Sequence, residues 1–352
     1  MNKKNITVEE VAGALKHVVH PATGKDIVSS GMVRDIEIEG LDITFTLVFA
    51  KAQDPVKNAV TGACEKVLRF YVHPDIRVNI RVLPLQAKAA AQPSFQAGHI
   101  VVIASGKGGV GKSTVAVNLA VALVSMGYRV GLLDADIYGP SVPKMLGVEG
   151  VQPEVRIIDG NERILPVERE GIRILSVGFF IRPEDAVIWR GPMASGALKR
   201  LIYQSEWGDL DFLLIDLPPG TGDIHLTVVQ ELTVDGAVMV GTPQQVALAD
   251  VIKGIGMFRN EKVNVPVLGL VENMAWFTPA ELPGNRYYLF GKEGCKQLAE
   301  RENLPLLAQI PIVQSISESG DNGQPVVAGK DSPTAQTFME LAQNMIHQLN
   351  RL

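Results

Sequence analysis

One segment limits the fold of this chain more than any other. The run HIVVIASGKGGVGKSTVAVNLAVAL contains G-x-x-x-x-G-K-[ST] as Gly106, Gly111, Lys112 and Ser113, with an apolar strand pattern before it and a helical one after it. The glycines let the backbone bend until the N–H groups of Gly106, Lys107, Gly108, Gly109, Val110 and Gly111 turn toward phosphate oxygens. The helix that follows adds the positive end of its dipole. Lys112 is expected to meet the β- and γ-phosphates of a nucleotide, Ser113 to ligate Mg²⁺ through its hydroxyl, and Thr114 to contact the α-phosphate. The alternative is a glycine-rich turn that binds nothing, and the full motif between a strand and a helix argues against it.

From His99 onward, apolar runs alternate with helical patterns. Strand-like runs fall at 99–104, 129–133, 172–177, 211–216, 235–241, 266–271 and 306–310. Such alternation predicts an α/β fold, a parallel sheet covered by helices on both faces, with ligands at the C-terminal ends of its strands. Residues 1–83 read as a separate small α+β domain. Thr7 and Glu10 form a capping box ahead of Val11, Leu15 and Val18. Runs 32–38 and 41–49 flank Glu39-Gly40 as a hairpin, Asp54-Pro55 can open a second helix, and 76–82 is a third strand. Residues 84–98, rich in Ala and Gln, read as a linker to the nucleotide-binding domain at 99–352.

Charge and cysteine usage narrow the function classes. The formal net charge is −5, and no long basic run is present, so neither nucleic acid nor an anionic membrane is an expected partner. Cys64 and Cys295 lie far apart and fit no disulfide framework, which points to a reducing compartment. The N-terminal MNKKNITVEEVAGAL lacks the apolar core of a secretion signal, and the apolar runs are too short to span a bilayer. The expected location is cytoplasmic. Near the C-terminus, Phe338, Leu341, Met345 and Leu349 form a helical stripe without a basic opposite face, so it is expected to pack on the core.

Other candidate residues sit where strands end. Asp134 and Asp136 follow one strand, where two carboxylates can hold magnesium-bound water and orient the attacking one, or can simply cap a turn. Asp216 ends the run DFLLID, the place for a carboxylate that reaches magnesium through water. Pro218, Pro219, Gly220 and Gly222 then make a rigid turn suited to a switch loop, with Asp223 as the alternative of a plain helix cap. Asn273 carries a donor and an acceptor that match an adenine edge, or that satisfy a loop. His225 has no evident partner and reads most simply as a helix-surface residue.

The segments GKGGVGKST, LLDADIYGPS, LIDLPPGTGD, GTPQQVALADV and VENM make the chain resemble, over nearly its whole length, the Mrp/ApbC family of deviant Walker A ATPases, kin of the MinD and ParA groups. The N-terminal unit resembles the MIP18-type domain that often precedes it. The resemblance implies ATP hydrolysis by a homodimer in which Lys107 reaches the nucleotide of the partner copy and stabilises the transition state, with Lys112 in the loop. It assigns water activation to Asp136, support of magnesium to Asp134 and adenine contact to Asn273. It further implies a [4Fe–4S] cluster carried to apo-proteins and held by a C-x-x-C pair shortly after E-N-M. This chain departs there: no cysteine lies between Met274 and Gly294, and Asp54-Pro55 stands where the N-terminal domain has Cys-Pro. Cys295, at the start of a helix that can lower a thiol pKa, is the remaining candidate ligand. Cys64 reads as a small buried thiol. Two alternatives stay open: a metal-free ATPase switch that acts on a protein client through TPAELPGNRYY, and a MinD/ParA-like positioning ATPase.

Overall fold

A computed structural model describes residues 6–21, 24–49, 56–84, 95–137, 139–158, 160–180, 191–279, 281–282, 284–329 and 332–352. Contacts divide the chain into two compact units, Met1–Ala91 and Gln92–Leu352.

The smaller unit holds α1 (Val8–Leu15), β1 (Val33–Glu39), β2 (Asp42–Phe49), α2 (Lys57–Tyr71) and β3 (Arg77–Pro84). The capping box forms as read: the Glu10 N–H donates to Thr7 Oγ1 at 3.2 Å and the Thr7 N–H to Glu10 Oε2 at 3.3 Å. β2 is the central strand, antiparallel to β1 and parallel to β3, the latter joined through α2. Ile43, Phe45, Leu47 and Phe49 recur every second residue and meet Val11, Leu15, Val60, Cys64 and Leu68 in one core. The second helix starts at Lys57 behind Val56, with no side-chain cap, and Asp54-Pro55 lies outside the described residues.

The larger unit begins with β4 (Gln96–Ser105), α3 (Lys112–Ser125), β5 (Val130–Asp134), α4 (Val142–Met145), β6 (Val155–Ile158), β7 (Asn161–Ile164), β8 (Val167–Arg169) and β9 (Ile172–Ser176). It continues through α5 (Gly191–Tyr203), β10 (Asp209–Asp216), α6 (Asp223–Glu231), β11 (Gly236–Gly241), α7 (Gln245–Arg259), β12 (Val267–Phe277), α8 (Gly294–Glu302), β13 (Leu306–Ile312), α9 (Gln314–Asp321) and α10 (Pro333–Leu349). The sheet order is β13-β12-β11-β4-β10-β5-β9-β8. Every neighbouring pair is parallel except β8–β9, so the sheet is mixed at one edge. Short-range turn chemistry at Glu170-Gly171 makes that edge hairpin, both residues having positive φ.

Both faces of the sheet are apolar because both are covered. Val101, Ile103, Phe212 and Leu214 point to one face, against α3 and α10; Val102, Ala104, Leu213 and Ile215 point to the other, toward α5 to α8. Each fully buried side chain of this size contributes about 1.5–3 kcal/mol. Phe338, Leu341, Met345 and Leu349 are buried, so the C-terminal stripe does pack on the core. Strands β4, β10, β12 and β13 run two or more residues beyond their expected bounds. Pairing in β4 extends back to Gln96, opposite Asp209, and β12 runs on through Asn273 to Phe277.

Candidate nucleotide-binding site

β4 is flanked by β11 and β10, and the loop that leaves its C-terminal end is shaped by close approaches. A Cβ on Gly106 would fall 2.1–2.5 Å from backbone atoms of Asp250 and Val251 in α7, so only glycine fits. Gly111 has φ +80°, and a Cβ there would meet Asn273 Nδ2 at 2.2 Å. Asn273 braces the same loop by donating from Nδ2 to the Val110 carbonyl at 2.8 Å. Ser105 Oγ donates to the Lys107 carbonyl at 3.0 Å. Lys107, Gly108 and Gly109 are exposed.

Lys112 opens α3 and is buried. Its Nζ donates to Asp216 Oδ1 at 2.6 Å and to Ser113 Oγ at 3.2 Å, and lies 4.0 Å from Asp136 Oδ2. The Gly139 N–H donates to Asp136 Oδ1 at 3.2 Å, which leaves Oδ2 on the lysine side. Lys107, Gly108, Lys112, Ser113, Thr114 and Asp136 share one cavity of about 240 Å³. Gly106 directly follows β4, Asp134 and Asp216 end β5 and β10, and Asn273, expected at a strand end, lies inside β12.

Asp216 and Asp134 are register partners on neighbouring strands. Both are fully buried. Burial raises the pKa of Asp216, and the Lys112 ammonium opposes that shift. Burial, then the nearby Asp216 charge, raises Asp134. Asp134 accepts from the Asp136 N–H at 3.1 Å and from Ser176 Oγ at 3.0 Å, whereas Asp216 Oδ2 has no partner among the described residues. Two adjacent buried carboxylates, one orphaned oxygen and one hydroxyl are a donor set that a hard divalent cation suits. Ser176 escaped sequence reading because it reaches Asp134 only through the β5–β9 pairing.

Three sequence expectations change. His225 is 1% exposed, not on a helix surface, and neither ring nitrogen has a partner among the described residues. Burial first, then the Lys112 charge, lowers its pKa to about 4 against the opposing pull of the Gly222 carbonyl that the ring faces, so the ring is neutral. An unmet buried donor or acceptor costs about 1–3 kcal/mol. The N-cap of α6 is Gly222, with Asp223 one residue inside. Cys295 is fully buried, and its thiol pKa is raised by burial and by the Glu272 carboxylate; the helix start does not prevail. Its N–H donates to Glu272 Oε2 at 2.6 Å, and Gln309 Nε2 donates to Glu272 Oε1 at 2.8 Å. Cys64 is buried as read, its thiol pushed up to about 12 by desolvation. Among the described residues no three His, Cys, Asp or Glu gather as a metal-holding group. No helix among them is long and apolar enough to cross a membrane.

Comparison with known proteins identifies the family and the fold. Residues 96–346 match the NUBPL iron-transfer P-loop NTPase family, and residues 8–82 match the iron-sulfur cluster assembly protein family. The iron-sulfur cluster carrier protein of Synechocystis sp. is 41% identical over 345 residues, 97% of each chain. The nucleotide-binding protein of Archaeoglobus fulgidus, solved in complex with ADP, is 38% identical with a TM-score of 0.58, over 69% of this chain and 92% of that one. The cell division ATPase MinD of Pyrococcus furiosus is 27% identical with a TM-score of 0.53, over 71% and 99%.

Proposed function

The chain belongs to the NUBPL iron-transfer P-loop NTPase family, and on that premise we propose that it is an iron–sulfur cluster carrier driven by ATP. The observation that supports the ATP reading best is the convergence of Lys112, Ser113 and Asp136 on one cavity above the buried Asp216.

In this reading, loop N–H groups from Gly108 to Lys112 take the phosphates. Lys112 exchanges its contact with Asp216 for the β- and γ-phosphate oxygens. Asp136 orients the attacking water and receives its proton as the water oxygen bonds to the γ-phosphorus and the bond to ADP breaks. Charge left on the β-phosphate is met by Lys112 and the loop amides. Ser113 and, through water, Asp216 would hold magnesium, whose chemistry is to neutralise charge across the β- and γ-oxygens. Asp134 positions that end of the site. Asn273 braces the loop and meets adenine with the amide atoms that Val110 does not use. Lys107, exposed on the rim, serves the partner copy's nucleotide in a homodimer. A bacterial-type cytoplasmic carrier that hands its cluster to apo-proteins is the working picture.

The cargo end differs from the engine. The family's thiol pair is absent and both cysteines are buried, so a cluster would have no surface cysteine of the described residues as a ligand. That observation favours a second reading, an ATP switch acting on a protein client without metal. Anaerobic loading with iron and sulfide, read by visible absorbance and followed by transfer to an apo-ferredoxin, decides between them. Stable loading and ATP-dependent transfer establish the carrier. An unloaded protein with normal ATP turnover establishes the switch.

A further inference from the structure

His225, like Trp207 through its Nε1, is a buried polar group that neither the phosphate chemistry nor a hydrogen bond among the described residues explains. It sits in the first turn of α6, directly after the Pro218–Gly222 turn, and its own N–H returns to the Gly222 carbonyl at 3.1 Å. That turn touches the phosphate loop: Pro219 Cγ would lie 3.8 Å from a Cβ on Gly108, and the Gly220 N–H donates to the Ser105 carbonyl at 2.9 Å.

The turn also has room to move. One side of it faces the phosphate cavity. Adjoining it, and sharing Asp136, Gly139 and Pro219 with it, a second cavity of about 450 Å³ is bounded by Pro218, Gly222, Ile224 and Ala194. The body of α6, by contrast, is held. Thr227 Oγ1 donates to Ser195 Oγ at 2.9 Å, and Glu231 pairs with Lys199 at 2.6 Å and accepts from the Tyr203 hydroxyl. His225 therefore stands at the junction between a fixed helix and a turn that borders two adjoining cavities.

We propose that His225 is a positioning residue for the switch turn, its imidazole, which already faces the Gly222 carbonyl, closing a full hydrogen bond to that turn when nucleotide draws the Pro218–Gly222 segment into place. A neutral imidazole offers one donor and one acceptor, which suits a peptide segment that changes place. Phenylalanine would fill the same space without either group. The inference rests on the ATP reading above and adds to it a residue that acts through the turn rather than on phosphate.

The test uses the full-length protein labelled with ¹⁵N-histidine, with and without magnesium and a non-hydrolysable ATP analogue, beside His225→Phe and His225→Gln. The imidazole signal missing from both variants is assigned to His225 and is expected to shift on nucleotide binding. His225→Phe should keep nucleotide affinity within about twofold, while kcat falls about tenfold, the loss of one hydrogen bond. His225→Gln, which restores a donor and an acceptor, should recover most of it. An unmoved imidazole signal, as a permanently trapped water would produce, overturns the proposal, as does full turnover in His225→Phe. If His225→Phe does not fold, the signal and His225→Gln decide. Wild-type protein without any ATP turnover would remove the hydrolase reading instead, and the imidazole signal would still judge His225.

Discussion

The phosphate loop after β4 and the stretch after β12 leave the same edge of one sheet, yet they are built by opposite means. In the first, buried contacts leave no room for added atoms. Gly106 lies against α7, Gly111 against Asn273, and Lys112 is clamped on Asp216. In the second, ring contacts and one backbone pair hold a stretch whose side chains stay largely outside. Arg286 stacks over Trp276 at 4.1 Å, Lys292 stands 5.3 Å from the Tyr288 ring, and Phe277 and Tyr287 exchange two 2.8 Å backbone bonds. Leu282, Tyr287, Tyr288 and Leu289 remain 37–61% exposed. A backbone cradle forbids most replacements, whereas a surface loop tolerates them. That contrast explains how a chain can keep its phosphate loop while the stretch after β12 varies.

Substitutions can break this contrast, beginning with the largest effect. Lys112→Ala should lower ATP affinity by at least about a hundredfold, as it removes the phosphate cation. It also strands the buried Asp216, so stability should fall by about 3 kcal/mol, and adding Asp216→Asn should return stability but not binding. Calorimetric titration and denaturant unfolding check both, and normal affinity in Lys112→Ala would end the comparison at once. Lys107→Ala should bind nucleotide normally but turn over about 10³-fold more slowly, if an exposed lysine serves the partner copy. Unchanged turnover would make it a surface charge.

Smaller effects sharpen the contrast. Gly111→Ala should destabilise by about 2–4 kcal/mol through positive φ and the Asn273 contact. Gly284→Ala, with nothing within 4 Å of the added Cβ, should stay within about 0.5 kcal/mol. Urea midpoints compare the two, and similar losses would show the second loop to be as constrained as the first. His225 supplies a pH test. Its folded pKa is depressed, so below the unfolded value of 6.5 the unfolded chain binds a proton that the folded one refuses. Stability should therefore fall as pH drops from about 6.5 toward 4, by about 2 kcal/mol at pH 5, and His225→Phe should abolish that slope. Leu289→Ser should change stability by less than about 0.5 kcal/mol.

What could be read from the chain depended on how far each cause lies along it. The capping box of α1, the strand runs and the α10 stripe are set by residues three or four apart, and the structure has them. The phosphate loop was legible for the same reason, since G-x-x-x-x-G-K-S carries its own geometry. His225, Ser176 and Cys295 were misjudged or missed because their surroundings come from afar: α5 packs beside α6, β9 pairs with β5, and Glu272 arrives from β12. The antiparallel β8 edge and the β6–β7 hairpin were also missed, being short strands with weak patterns.

The register across the sheet has a further consequence. Ile103, Asp216, Asp134 and Ser176 form one row over four neighbouring strands. The spacing of the two carboxylates is therefore the pitch of the sheet, not the outcome of a loop conformation. Such a site cannot open locally, because widening it means separating central strands. Nucleotide binding should then protect the whole sheet: a ligand at a hundred times its Kd adds about 2.7 kcal/mol to global stability. Amide hydrogens in β4, β5 and β10 would slow together in exchange, so the bound nucleotide serves as a clasp on the entire domain.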